Sequence, residues 1–85
     1  MKTVTIFTTS SCPRCPGARE LGARLEQRGV PVTWYDVGTA EGLAEAMFHH
    51  VLTTPALLII EEGEVVIAAW RGVVPNEDEV LHGLG

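Results

Sequence analysis

Positive charge is scarce in this chain. Its 85 residues hold 6 Lys and Arg against 11 Asp and Glu, a net charge of −5. That balance offers no electrostatic footprint to nucleic acid or to anionic lipid, and argues against a role on either. Long apolar runs are missing too. Ala56 to Ile60 ends abruptly at Glu61-Glu62, far short of the roughly 20 residues of a membrane-spanning helix. Met1 to Thr9, MKTVTIFTT, has one lysine but no apolar stretch of signal-peptide length. With only 2 cysteines, the multi-bridge framework of a small secreted domain is ruled out. What remains is 46% hydrophobic and 20% charged, without low-complexity segments, which is ordinary globular composition. The expectation is a single domain over residues 1–85 in a reducing cytoplasm. There, two cysteines close in sequence point to catalysis or metal binding before structural bridging.

The periodicities alternate between strand and helix. Thr3 to Thr8 is rich in β-branched residues and is expected as a strand. After the hydroxyl-rich break Thr9-Ser10-Ser11, the segment Pro13 to Arg28 takes a helical pattern. Ala18, Leu21, Gly22 and Leu25 make its apolar face, and Gly29 and Pro31 stop it. Val32 to Val37 is expected as a second strand. Glu41 to His49 is expected as a short helix with Leu43, Ala46 and Met47 inward. Ala56 to Glu61 lacks polar alternation, so both its faces are expected to be covered. Glu62-Gly63 turns the chain into a strand over Glu64 to Trp70, completing an antiparallel hairpin. Pro75-Asn76 opens a last helix, with Asn76 as cap, Glu77 to Glu79 in its first turn and His82 facing solvent. The order βαβαββα makes an α/β fold. It implies a four-stranded mixed sheet, a right-handed parallel crossover at its start, and helices on both faces.

The chemistry is concentrated in Cys12-Pro13-Arg14-Cys15, placed where the first strand gives way to the first helix. A helix N-terminus offers unpaired N–H groups and about half a positive charge, which stabilise a thiolate. A second cysteine three residues on lies one turn away and can attack a mixed disulfide formed at the first. Arg14 adds a neighbouring cation. Zinc is the competing use of a C-x-x-C pair. There is no second C-x-x-C, and the adjacent pair His49-His50 is spaced more tightly than the usual ligands. The two histidines read as surface or helix-end residues. Thiol redox chemistry is therefore the favoured reading.

The chain resembles the thioredoxin-fold oxidoreductases over nearly its whole length. The resemblance rests on the strand TVTIFT, on Cys12-Pro13-Arg14-Cys15 opening a helix, and on Thr54-Pro55 before an apolar strand. It implies a thioredoxin fold with a cis bond at Pro55. It also implies that the Thr53-Thr54 backbone receives an extended substrate by strand addition. Length and the Cys-Pro-x-Cys form are similar to glutaredoxins. Glutaredoxins, however, commonly carry Tyr where Arg14 stands, a cation where Thr9 stands, and a Gly pair where this chain has Trp70-Arg71-Gly72-Val73. The stretch Pro55 to Val65, with Val51 four residues before Pro55, is similar to thioredoxin. Thioredoxins have Trp in place of Ser11 and a buried Asp in place of Ile6. The resemblance implies Cys12 as the nucleophile and Cys15 as the resolving thiol. Pro13 and Arg14 would tune them, and Thr54, Pro55, Gly72 and Val73 would shape the docking surface. It further implies a monomer without a cofactor of its own. Such a protein reduces disulfide-containing protein substrates and is itself reduced by a thioredoxin-reductase-like flavoprotein. Glutathione-dependent glutaredoxin activity is the alternative within redox chemistry. A metal or iron–sulfur module, completed by a second chain or added thiols, is the alternative outside it.

Overall fold

The β-branched segment Thr3–Thr8 forms an interior strand, β1, in the computed structural model, which describes residues 1–85. The chain continues through α1 (Cys15–Gln27), β2 (Val32–Asp36), α2 (Ala40–Phe48), β3 (Ala56–Glu61), β4 (Val65–Arg71) and α3 (Glu77–Leu84). The sheet order is β2-β1-β3-β4. β1 and β2 run parallel, with Val4 opposite Val32 and Thr8 opposite Asp36. β3 runs antiparallel to both β1 and β4. This is the thioredoxin-like fold, with a mixed four-stranded sheet and three helices. No helix is long and apolar enough to cross a membrane.

The sheet divides the core into two layers, which explains the uninterrupted apolar run of β3. Leu57 and Ile59 point to one side, where they pack with Val4, Ile6, Ala18, Leu21, Leu25 and Val80 beneath α1 and α3. Ala56, Leu58 and Ile60 point to the other, with Phe7, Ala46 and Val51 under α2. Asn76 closes a capping box on α3, its side chain accepting from Glu79 N–H while the Glu79 carboxylate accepts from Asn76 N–H. Glu77 then bridges from α3 to Arg24 of α1 and to Arg28, which caps its C-terminus, tying the two helices of that layer together.

Three expectations are corrected. α1 begins at Cys15 rather than Pro13, because Cys12 to Arg14 form a turn in which Cys15 N–H donates to Cys12 C=O at 3.3 Å. Of the α2 residues expected inside, only Ala46 is buried; Leu43 and Met47 are exposed. The cause is Gly42. A Cβ there would run into the Asp36 backbone, so the helix lies on the Gly42–Ala46 side and turns its neighbours outward. His49 does end α2 as expected, but it is buried rather than at the surface. Its ring meets Phe7 and Phe48 edge-on, at 6.4 and 4.9 Å between centroids.

Candidate active site

The N-terminal end of α1 carries both cysteines, joined as a Cys12–Cys15 disulfide with Cα atoms 5.3 Å apart. Their surroundings differ. Cys15 is the first helical residue and is completely buried, whereas Cys12 lies in the turn ahead of it and is half-exposed. Arg14 is the N-cap and makes no side-chain cap bond; Pro16 occupies the first turn, and no acidic residue does. The positive end of the helix is thus free of carboxylates and faces the sulfur pair.

The Arg14 side chain leans away from α1. Its Nη1 donates to the Gly72 carbonyl at 3.1 Å. Gly72, at a φ of 80° that favours glycine, donates its N–H to Pro55 C=O at 2.8 Å. Arg14, Gly72 and Pro55 are therefore linked in one chain of bonds across three separate segments. The Thr54–Pro55 bond is cis, the isomer that the resemblance implies. Val73 follows on the surface.

A cleft of about 380 Å³ opens beside Cys12. Ser11, Cys12 and Pro13 form one wall, Thr53 and Thr54 another, and Val37, Leu43, Ala46, Val51 and Leu52 the rest. None of these side chains is charged. The sequence pointed to Cys12, Pro13 and Thr54, and singled out Val51 by its distance from Pro55. It did not point to Leu43 and Leu52 as walls. A leucine directly before Thr53-Thr54 was the available signal. Nor did it foresee the partner of Arg14, which lies 58 residues away. His49 and His50 do not join the cysteines: no group of three or more His, Cys, Asp or Glu is placed to hold a metal ion. Ile6, where thioredoxins have an acid, is fully buried among aliphatic side chains.

The glutaredoxin family model matches residues 4–66. A probable thioredoxin of Archaeoglobus fulgidus is 35% identical over 81 residues, covering 94% of this chain and 82% of that protein. Among solved structures, a malarial protein superposes with a TM-score of 0.82 at 14% identity, over 99% of this chain and 93% of the other. Thioredoxin 1 of the thermophilic eubacterium Thermosipho africanus superposes with a TM-score of 0.75 at 17% identity, over 96% and 89%.

Proposed function

The chain belongs to the glutaredoxin family, and its Cys12–Cys15 pair makes it a thiol-disulfide oxidoreductase; from that premise we propose that it is a dithiol reductase of protein disulfides, regenerated by a thioredoxin-reductase-like flavoprotein. The observation that carries this reading is the unequal exposure of two bonded cysteines, Cys12 opening on a cleft and Cys15 buried beneath it.

The reaction runs on the reduced protein. The Cys12 thiolate attacks one sulfur of the substrate disulfide, forming a mixed disulfide and releasing the other sulfur as a thiolate. Cys15 then attacks the Cys12 sulfur, closes Cys12–Cys15 and releases the second substrate thiol. Two electrons pass to the substrate. The proton leaving Cys15 goes to the first released thiolate or to water, since β1 offers the aliphatic Ile6 where a carboxylate would otherwise take it. Thr54 lends its backbone to an extended substrate strand, and Arg14, Gly72 and Val73 border that strand. The protein acts as a monomer in the cytoplasm.

Glutathione fits this site poorly. It carries two carboxylates, and desolvating them without paired donors is costly. The cleft walls hold no cation, and the nearby Arg14 guanidinium, one N–H of which donates to the Gly72 carbonyl, is a single cation against two carboxylates. Two assays separate the branches. Insulin-disulfide reduction with NADPH and a thioredoxin reductase should turn over well. Reduction of a mixed disulfide by glutathione should be at least about tenfold slower, the equivalent of about 1.4 kcal/mol. Efficient glutathione-coupled turnover would instead assign the glutathione-dependent activity.

A further inference from the structure

The outward face of α2 is apolar, which is unusual for a helix of a small domain. Leu43, Met47, Phe48 and Leu52 are 50, 66, 63 and 92% exposed. Leu43 and Met47 stand one turn apart on the same side of the helix. Leu43 and Leu52 also line the cleft that holds Cys12. The apolar surface therefore runs without a break from the redox site onto α2.

One flank of this surface is acidic. Glu41 and Glu45 are one turn apart on α2, and Glu64 approaches from the hairpin turn. The His49 Nε2 lies 3.5 Å from the Glu64 carboxylate and 4.0 Å from that of Glu45. Tyr35 feels the same group: burial first, and then the fields of Glu45, Glu41 and Glu64, raise its phenol above the ordinary 10.0. No Lys or Arg occurs between Arg28 and Arg71; the Arg71 guanidinium donates to the neutral His49 carbonyl and keeps its charge at the edge of this group of three carboxylates. The opposite layer mixes both signs: Arg19, Arg24 and Arg28 stand with Glu20, Glu26 and Glu77 to Glu79, and Glu77 is paired with Arg24 and Arg28.

We propose that the α2 face and the cleft form one docking surface for redox partner proteins that present an apolar side chain next to their cysteine, flanked by Lys or Arg. This rests on the oxidoreductase reading above. The apolar stripe supplies burial, and the carboxylates supply the choice of partner and its approach. A second copy of this chain is a poor occupant, because pairing α2 with its own image brings Glu41 and Glu45 against the same residues. An anionic lipid surface is repelled for the same reason.

The test uses single-turnover reduction of synthetic peptides, each closed by one internal disulfide. The protein is reduced beforehand with dithiothreitol, which is then removed, so its own dithiol supplies the two electrons. One peptide carries Leu beside its cysteine with flanking Lys, a second Leu with Glu, and a third Ser with Lys. Every rate is divided by that of hydroxyethyl disulfide, a neutral substrate too small to span α2. The Leu/Lys peptide should exceed the other two by about tenfold or more. Its lead over Leu/Glu should shrink as salt rises. Met47→Ser should lower the Leu/Lys ratio, and Glu41→Gln with Glu45→Gln should erase the preference for Lys over Glu. Equal ratios for all three peptides, a lead for Leu/Glu, or unchanged ratios in both variants would overturn the proposal and leave the oxidoreductase reading standing. Failure of the wild-type protein to reduce even hydroxyethyl disulfide would overturn both.

Discussion

At the scale of the residue, the two sulfurs owe their difference to where α1 begins. Cys15 opens the helix and points into the protein, while Cys12 stays in the preceding turn. In the reduced protein this arrangement puts an accessible thiol at the positive end of a helix and its partner under cover. Alkylation at mildly acidic pH should therefore label Cys12 and spare Cys15, as peptide mapping will show. Cys15→Ser should accumulate stable mixed disulfides with substrate proteins, and Cys12→Ser should accumulate none. Equal trapping by both variants would mean that the thiols are interchangeable. The motif itself was legible in the sequence, because its residue types and spacing are local. The direction of the Arg14 side chain was not, since its partner Gly72 is brought near only by the hairpin of β3 and β4.

Among the elements, helix existence and the order βαβαββα followed from periodicity, and the orientation of α2 did not. A nine-residue helix with apolar residues on most sides has no single face that pattern can identify. The close approach of Gly42 to Asp36 chooses the face. The burial of His49 escaped notice for a similar reason, because the end of α2 folds down onto Phe7 of another element. α3 is the opposite case: its cap and acidic first turn were plain in Asn76-Glu77-Asp78-Glu79. Glu77 does more than complement the dipole. The hydrogen bond from Arg28, and after it that from Arg24, lowers its carboxyl below the ordinary 4.5. A carboxyl depressed in the folded state adds stability above its unfolded value and loses it as pH falls through the folded one. Urea midpoints of the wild type should therefore drop below about pH 4.5, and Glu77→Gln should lower the midpoint at neutral pH and flatten that part of the acid profile. A variant that reproduces the wild-type acid profile would show that the α1–α3 bridge contributes nothing.

Over the whole molecule, the redox site depends on both core layers at once. Cys15 opens α1, with Cys12 in the turn before it, and α1 packs on the Ile6 and Leu57 side of the sheet, while Ala46 and Val51 of the cleft belong to the Phe7 and Leu58 side. The strands connect them, since all four send side chains to both layers. If those strands couple the layers, a wound in one must be felt in the other. Leu58 is fully buried beneath α2, and Leu58→Ala should cost about 2–5 kcal/mol through lost burial and an unfilled cavity. For a chain of this length the total stability is on the order of 4–13 kcal/mol, so the change is large. Trp34 and Trp70 report from the other side, the first against Gly22 of α1 and the second on the Leu57 cluster. Their fluorescence should lose its folded signal at the same lowered temperature as the far-ultraviolet circular dichroism. The rate of disulfide reduction should fall over that same range. Tryptophan melting that stayed at the wild-type temperature while the helical signal fell would mean that the layers unfold separately. The sheet would then fail to transmit the state of the α2 side to the α1 side, and the cleft beside Cys12 could open while the cysteines kept their places.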